Sequence, residues 1–270
     1  MSRRPRWQPL ADSEHRLETN LGAWFAGERV VYRGYDLFSE LADARWMELL
    51  LLGITGRRFS DAQVTLFERL WSLSVSYPDP RLWNNRICAL AGSARSTAAL
   101  AAAGATAVTE ARIYGGQANF GAIRFITALS RAVNAGSDLR GSVETTLRAQ
   151  RHIPGYGRPL VAVDERIAPV LNMARSLGCA DGEHLNLALQ VDTLLREGRW
   201  RLAMNVTGLA AALSADQGLN AQEYQMLASL AFSAGFIPCY ADSAGRPEGT
   251  FFPFSCGRIH YTGPSPRDWD

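Results

Sequence analysis

The sequence predicts an all-α protein, and three observations carry that prediction. Apolar residues recur at helical spacing in one segment after another, capping residues stand where several of those segments begin, and no long period-two alternation appears. The chain has 270 residues, 47% of them hydrophobic and 20% charged, which supplies a large core and excludes disorder over most of its length.

Residues 1–20 are polar and contain proline, which reads as a loosely held arm. In LGAWFAGERVVYRGYDLFSEL, Gly27, Gly34 and the Val30–Val31 pair suggest an extended turn or short hairpin, with a helix beginning near Asp36. That helix carries Leu41, Trp46, Leu49, Leu50 and Leu52 on a wide apolar face and is expected to close at Gly53. Ser60 and Gln63 form a capping box for the next helix, which continues through Val64, Phe67, Leu70, Trp71 and Ser74. Pro78 and Pro80 stop it.

The alanine-rich run from Cys88 to Arg112 has high helix propensity and side chains small enough for neighbouring helices to approach closely. A homodimer through residues 89–111 is the expectation. Gly115 and Gly116 break the pattern, which resumes at Ala122, Ile123, Ile126 and Leu129. A polar helix after Gly141 leads to the loop from His152 to Leu160; further helices are predicted over 165–177, 183–197, 202–216 and 221–235, the last with Asn220 and Glu223 as a capping box. From Pro238 onward the composition turns to proline, glycine and aromatic residues, which reads as an irregular tail.

Composition excludes several activities. The 28 basic residues balance 26 acidic ones at a formal +2, without the excess that marks a nucleic-acid binder. All 28 are arginine. With no lysine, Schiff-base and pyridoxal chemistry and a Walker A loop are ruled out. Cys88, Cys179, Cys239 and Cys256 form no CxxC pair and read as buried free thiols, and the four histidines fall in no metal-binding spacing, so no metal is expected. No secretory signal and no apolar run of membrane-spanning length is visible, so the expected location is the cytoplasm, away from membranes.

Two glycine-rich breaks, at 113–121 and 153–160, let backbone approach a ligand before a helix N-terminus that can hold an anion or a developing oxyanion. Arg158 and Arg166 beside the second break offer bidentate forks to carboxylates.

Four segments in order then resemble the citrate synthase superfamily, especially its short citryl-CoA lyase-like members: GERVVYRGYDLFSEL, IPGYGRPLVAVDERI, NVTGLAAALSADQGL and GRIHYTGP. The resemblance runs from Leu21 to Pro264. It implies a large helical domain (21–125 and 203–270), a smaller one (about 126–202) and an intertwined homodimer. It further implies a cleft where a CoA thioester, with no tightly bound cofactor, meets a small carboxylate in Claisen chemistry or its reverse. Carried over residue by residue, it places Gly115, Gly116, Pro154, Gly155, Tyr156 and Gly157 at the CoA thioester and Arg166, Asn205 and Arg258 at the carboxylate substrate.

The catalytic positions depart from the pattern. Tyr114 stands where LHGG has its histidine, Arg158 replaces the histidine of PGFGH, and Thr207 replaces the aspartate of NVD. The aspartate–histidine pair is absent around Asn84 and Asn85. Tyr114 can donate to an enolate oxygen and Arg158 can stabilise negative charge, but Thr207 is no general base at neutral pH. A base would come from Asp164, Asp242, His152 or a water chain. The sequence thus supports an enzyme that makes or breaks a C–C bond of a carboxylated acyl-CoA or related acyl donor with non-standard residues. The alternative is a non-catalytic binding or regulatory subunit.

Overall fold

A computed structural model describes residues 7–15, 18–75, 77–112, 115–158, 161, 163–251 and 253–265. A short helix, α1 (Gln8–Asp12), precedes an antiparallel meander of β1 (Gly22–Phe25), β2 (Arg29–Tyr32) and β3 (Tyr35–Asp36). In its register Gly22 faces Tyr32, and Tyr32 also faces Tyr35. Arg33 and Gly34, both at positive φ (52° and 89°), make the tight turn between β2 and β3, the geometry that suits the right-handed twist of paired strands.

The helix expected from Asp36 starts ten residues later, as α2 (Trp46–Thr55). Asp36 instead organises a turn, its carboxylate accepting from the amides of Phe38 and Ser39. Nor does Gly53 end α2: Gly56, at φ 72°, caps it in the left-handed conformation. Gly53 serves a different purpose. The Tyr32 hydroxyl donates to the Leu49 carbonyl at 3.1 Å, and a Cβ on Gly53 would lie 2.0 Å from that hydroxyl oxygen. Arg33 Nε and Nη2 donate to the Gly53 carbonyl at 3.2 and 2.7 Å, completing the dock of the meander on α2.

The capping box of Ser60 and Gln63 opens α3 (Asp61–Ser74). The alanine-rich run is split: α4 (Trp83–Ser93) and α5 (Ala98–Thr109) are separated by Arg95 at φ 60° and by Thr97, whose hydroxyl accepts from Leu100 N. Then come α6 (Gly116–Asn134), α7 (Leu139–Gln150), α8 (Ile167–Ser176), α9 (Glu183–Glu197), α10 (Val206–Asp216) and α11 (Ala221–Ser229), the last capped by Asn220 and Glu223. One 3₁₀ turn (Leu230–Phe232) leads directly into α12 (Ser233–Ala244).

The irregular tail expected from Pro238 therefore begins later, because Pro238 lies inside α12. Packing against α4 overrides the local cost of proline. Gly92 of α4 approaches so closely that a Cβ there would stand 2.6 Å from the Tyr240 carbonyl, and Phe236, Cys88, Ala101 and Ala105 form a small core between α4, α5 and α12. Burial pushes the Cys88 thiol, beside Cys239, up to about 11, which favours the protonated form at neutral pH.

The main core is a second, larger cluster in which α10 is almost wholly buried among residues of α3, α6, α9 and α11. Among the described residues no helix is long and apolar enough to cross a membrane.

At the start of α10 two backbones meet. Gly208 carries no Cβ because one would lie 2.4 Å from the Gly155 carbonyl oxygen, and a Cβ on Gly155 (φ 89°) would lie 2.6 Å from Gly208 Cα. Gly208→Ala is expected to destabilise the protein by about 3 kcal/mol, the upper part of the range for overpacking. The control Gly104→Ala, whose added methyl meets only Ile87 Cγ2 at 3.5 Å, should change stability by less than about 1 kcal/mol in favour of the native state. Urea unfolding curves of the two variants check this.

Candidate active site in the helical cleft

The loop from Ile153 to Arg158 is held on α10 by its backbone. Gly157 N donates to the Ala203 carbonyl at 2.6 Å, Asn205 N donates to the Gly155 carbonyl at 3.0 Å, and Tyr156 bridges to Met204. Asn205 joins the two elements: its Nδ2 donates to the Gly157 carbonyl at 2.8 Å while its Oδ1 accepts from Gly208 N at 3.2 Å, capping α10. The glycine loop and the helix start are thus one rigid unit.

Beside that unit opens a cleft of about 580 Å³. Gly115, Gly157, Arg158, Arg166, Asn205 and Thr207, all singled out from the sequence, line it. The other candidates lie elsewhere. Gly116 backs onto the Glu110 carboxylate. Gly155 is covered by Gly208. Pro154 lines a different surface groove, against α6 and α7. Tyr156 points away, its buried hydroxyl donating to the Ala188 carbonyl at 2.9 Å and its ring edge-on to Phe125; burial raises its phenol far above the usual value. Arg258 sits in a 3₁₀ turn of the exposed C-terminal segment. Tyr114 lies outside the described residues, as does Ile113 before it.

Charge in the cleft is compensated internally. The Asp164 side chain is fully buried; its Oδ1 accepts from Arg166 Nε at 2.8 Å and its Oδ2 from Arg166 Nη2 at 2.9 Å. Oδ2 also accepts from Val206 N, the first amide of α10, at 2.9 Å. Burial pushes this carboxyl up, but the Arg166 and Val206 hydrogen bonds and the Arg166 charge outweigh burial and leave it below its ordinary range. Arg158 pairs with Glu165 and stands 3.8 Å from Asp164. Arg166 therefore has an acidic partner within the protein, and it meets Asp164 through the Nε–Nη2 edge. Its Nη1–Nη2 edge is not used by Asp164.

None of the three candidate bases lines the cleft. Asp164 is ionised and buried beneath Arg166. Asp242, on α12, is exposed and paired with Arg246 at 3.0 Å. His152 is exposed, with Nδ1 2.8 Å from the Gln150 carbonyl. Asn84 and Asn85 are buried in α4, where Asn85 Nδ2 donates to the carbonyls of Tyr77 and Asp79. Among the described residues the cleft wall holds no carboxylate and no imidazole. Most of it is apolar, with Met47, Phe67, Leu70, Leu227 and Phe232 among the lining residues. Sequence periodicity marks Phe67, Leu70 and Trp71 as helical core, so their role as cleft lining is not visible from spacing.

Asp164→Asn is expected to cost about 3 kcal/mol at pH 7, the low end for breaking a buried pair, because Arg166 keeps a quarter of its side chain in solvent. The sign follows from linkage: a carboxyl whose folded pKa is lowered contributes stability above its unfolded value near ~3.9 and loses it as pH falls through the folded value. The gap between wild type and Asp164→Asn should accordingly close below about pH 4. Denaturant titrations at several pH values measure it.

No protein-family model matches the sequence and no curated protein sequence matches it significantly. Solved structures do match. Citryl-CoA lyase from Hydrogenobacter thermophilus superposes with a TM-score of 0.82 at 19% identity, over 94% of this chain and 97% of that one. A mutant ATP citrate lyase from Methanosaeta concilii, in complex with (3S)-citryl-CoA, gives 0.74 at 21% identity, over 97% of this chain and 45% of that one. Citrate synthase from Thermoplasma acidophilum, in a ternary complex with carboxymethyl coenzyme A and oxaloacetate, gives 0.60 at 15% identity, over 84% and 59%. The chain therefore has the all-helical citrate synthase-like fold, over nearly the full length of a citryl-CoA lyase.

Proposed function

We propose that this protein is an enzyme of altered chemistry on the citrate synthase scaffold, making or breaking a C–C bond of a carboxylated acyl-CoA or a related acyl donor. The observation that carries the reading is the convergence of Gly115, Gly157, Arg158, Arg166, Asn205 and Thr207 on one cleft. Arg166 takes the ligand carboxylate through its Nη1–Nη2 edge, its other edge fixed by Asp164. Arg158 and Tyr114 act on negative charge that develops in the reaction. The CoA thioester lies against Gly115 and Gly157, the two loop glycines that line the cleft.

The similar structures that contain citryl-CoA, or citrate and coenzyme A, support the substrate class. The reading includes action in the cytoplasm and a division into a large domain (21–125 and 203–270) and a small one (126–202). It also includes a homodimer built on the α4–α5–α12 layer, where Leu90, Leu100 and Ile237 are exposed apolar residues on helices already packed closely through small side chains. Since Arg258 is on the exposed C-terminal segment and outside its own cleft, its part in substrate binding belongs to the cleft of the second copy.

A second reading, a non-catalytic binding or regulatory subunit, is favoured by the cleft wall itself, which offers no carboxylate or imidazole among its described residues. Thr207 stands at the position of the family's base, and a positioned base is commonly worth about 10²–10⁴ in rate. Purified protein should accordingly release little or no thiol from acetyl-CoA in the presence of oxaloacetate. It should still gain thermal stability from coenzyme A by mass action. Turnover of any carboxylated acyl-CoA in a screened panel selects the enzyme; stabilisation by coenzyme A with no turnover across the panel selects the binding subunit. Oxaloacetate-dependent thiol release at ordinary enzymatic rates would overturn the account of Thr207.

The homodimer has its own check. Sedimentation at micromolar concentration should give a dimer, and Leu100→Glu, at a side chain 68% exposed, should shift it to monomer without loss of helicity.

A further inference from the structure

Tyr224 lines the cleft with 5% of its surface exposed, and its hydroxyl has no hydrogen-bond partner among the described residues. The unpartnered polar atoms of Trp71 and Ser214 are sealed from solvent, whereas the Tyr224 hydroxyl keeps an accessible surface. We propose that Tyr224 is a substrate-binding residue whose hydroxyl donates a hydrogen bond to the acyl carbonyl oxygen of the bound thioester. The inference rests on reading the cleft as an acyl-CoA site and adds the group that fixes the acyl oxygen there.

The first turn of α11 holds Tyr224 in place. Glu223, the residue before it, closes the capping box with Asn220 and accepts from Arg57 Nη2 at 3.1 Å. Gln225, the residue after it, donates from Nε2 to the Glu110 carboxylate at 3.1 Å. That carboxylate lies against the start of α6, where a Cβ on Gly116 would come within 2.6 Å of Glu110 Oε2. Gly115, next in the chain, lines the cleft. The turn that carries Tyr224 is thereby tied to the glycine loop against which the thioester is placed. A donor anchored through both of its neighbours is preorganised for its ligand.

The surroundings of the hydroxyl select the kind of oxygen it meets. Burial alone raises the phenol far above its usual value, and no charged group contributes. At neutral pH the hydroxyl therefore stays protonated and serves as a donor, not as a base. With no cation acting at the phenol, a carboxylate beside it would be buried without charge compensation. Arg158 and Arg166, the cations of the cleft wall, gather instead around one oxygen, Asp164 Oδ1, at 3.8 and 2.8 Å. A neutral oxygen suits the phenol, and the thioester carbonyl is the neutral oxygen that the acyl-CoA reading supplies. The same hydrogen bond strengthens if negative charge develops on that oxygen.

Calorimetric titration of the full chain with coenzyme A, acetyl-CoA and S-ethyl-coenzyme A, each separately, tests the proposal. The last is a thioether with a methylene where acetyl-CoA has its carbonyl. Wild type should bind acetyl-CoA about fivefold more tightly than the thioether, within the worth of one neutral hydrogen bond. Tyr224→Phe should erase that preference and leave the affinity for coenzyme A unchanged. Without ligand this variant should melt no lower than wild type, because the hydroxyl it deletes has no protein partner. Tyr224→Met, which also lacks the hydroxyl and adapts to irregular core space, provides the measurement should the phenylalanine variant fold poorly.

Equal binding of thioester and thioether to the wild type would overturn the proposal and leave the acyl-CoA reading standing. So would a preference that survives the loss of the hydroxyl. A Tyr224→Phe variant that folds but melts well below wild type would also overturn it, since the hydroxyl would then serve a protein group. If neither coenzyme A nor its two derivatives bind the wild type, the acyl-CoA reading falls and takes this inference with it.

Discussion

The close approach of Gly155 to Gly208 is the constraint on which the rest of the site depends. Two residues without side chains let a loop lie on the first turn of a buried helix. Only at that separation can Asn205 both cap α10 and hold the loop through the Gly157 carbonyl. Gly157 and Arg158 follow directly, so their placement in the cleft is inherited from a backbone contact. A site built in this way is preorganised, because each element that presents a ligand-facing group is also locked by packing. The helix that anchors it is buried on nearly every face, which gives the loop a support that cannot shift without opening the core.

Electrostatics then decide what the preorganised cleft can do. Asp164 neutralises Arg166 and at the same time binds the first amide of α10, so the positive end of that helix is already compensated by the protein's own carboxylate. Arg158 is similarly matched by Glu165. An incoming carboxylate meets guanidinium edges that are held in place and partly neutralised, which favours orientation over strong charge attraction. Guanidinium groups remain protonated at any relevant pH; they bind and stabilise anions but do not shuttle protons. This limits how the cleft can take part in enolate chemistry, whichever of the two functional readings holds.

The rest of the cleft wall shows the opposite arrangement. Met47, Phe67, Leu70, Leu227 and Phe232 line it, and the first four belong to the main core cluster, so the helix faces that build the core also bound the cleft. The cleft thus joins guanidinium groups to an apolar wall, the mixed lining common in small-molecule sites.

Local chemistry alone determined a good part of this molecule. The capping boxes at Ser60 and Asn220 and the bounds Glu183–Glu197 of α9 follow from residues three to four apart, because caps and helical faces are short-range. Ordered motifs also led to the right fold, and half of the site residues they named line the cleft. Tertiary structure decided the rest. Asp36 nucleates a turn and Gly53 sits mid-helix because Tyr32 docks on α2. Pro238 stays helical because α4 packs against it. Asp164 becomes the partner of Arg166 and of an amide 42 residues away, and Phe67 and Leu70, core residues of α3, also line the cleft. These outcomes share one physical reason: spacing along the chain records which face of a helix is apolar, whereas the partner that face or charge finds is set by contacts between segments far apart in sequence.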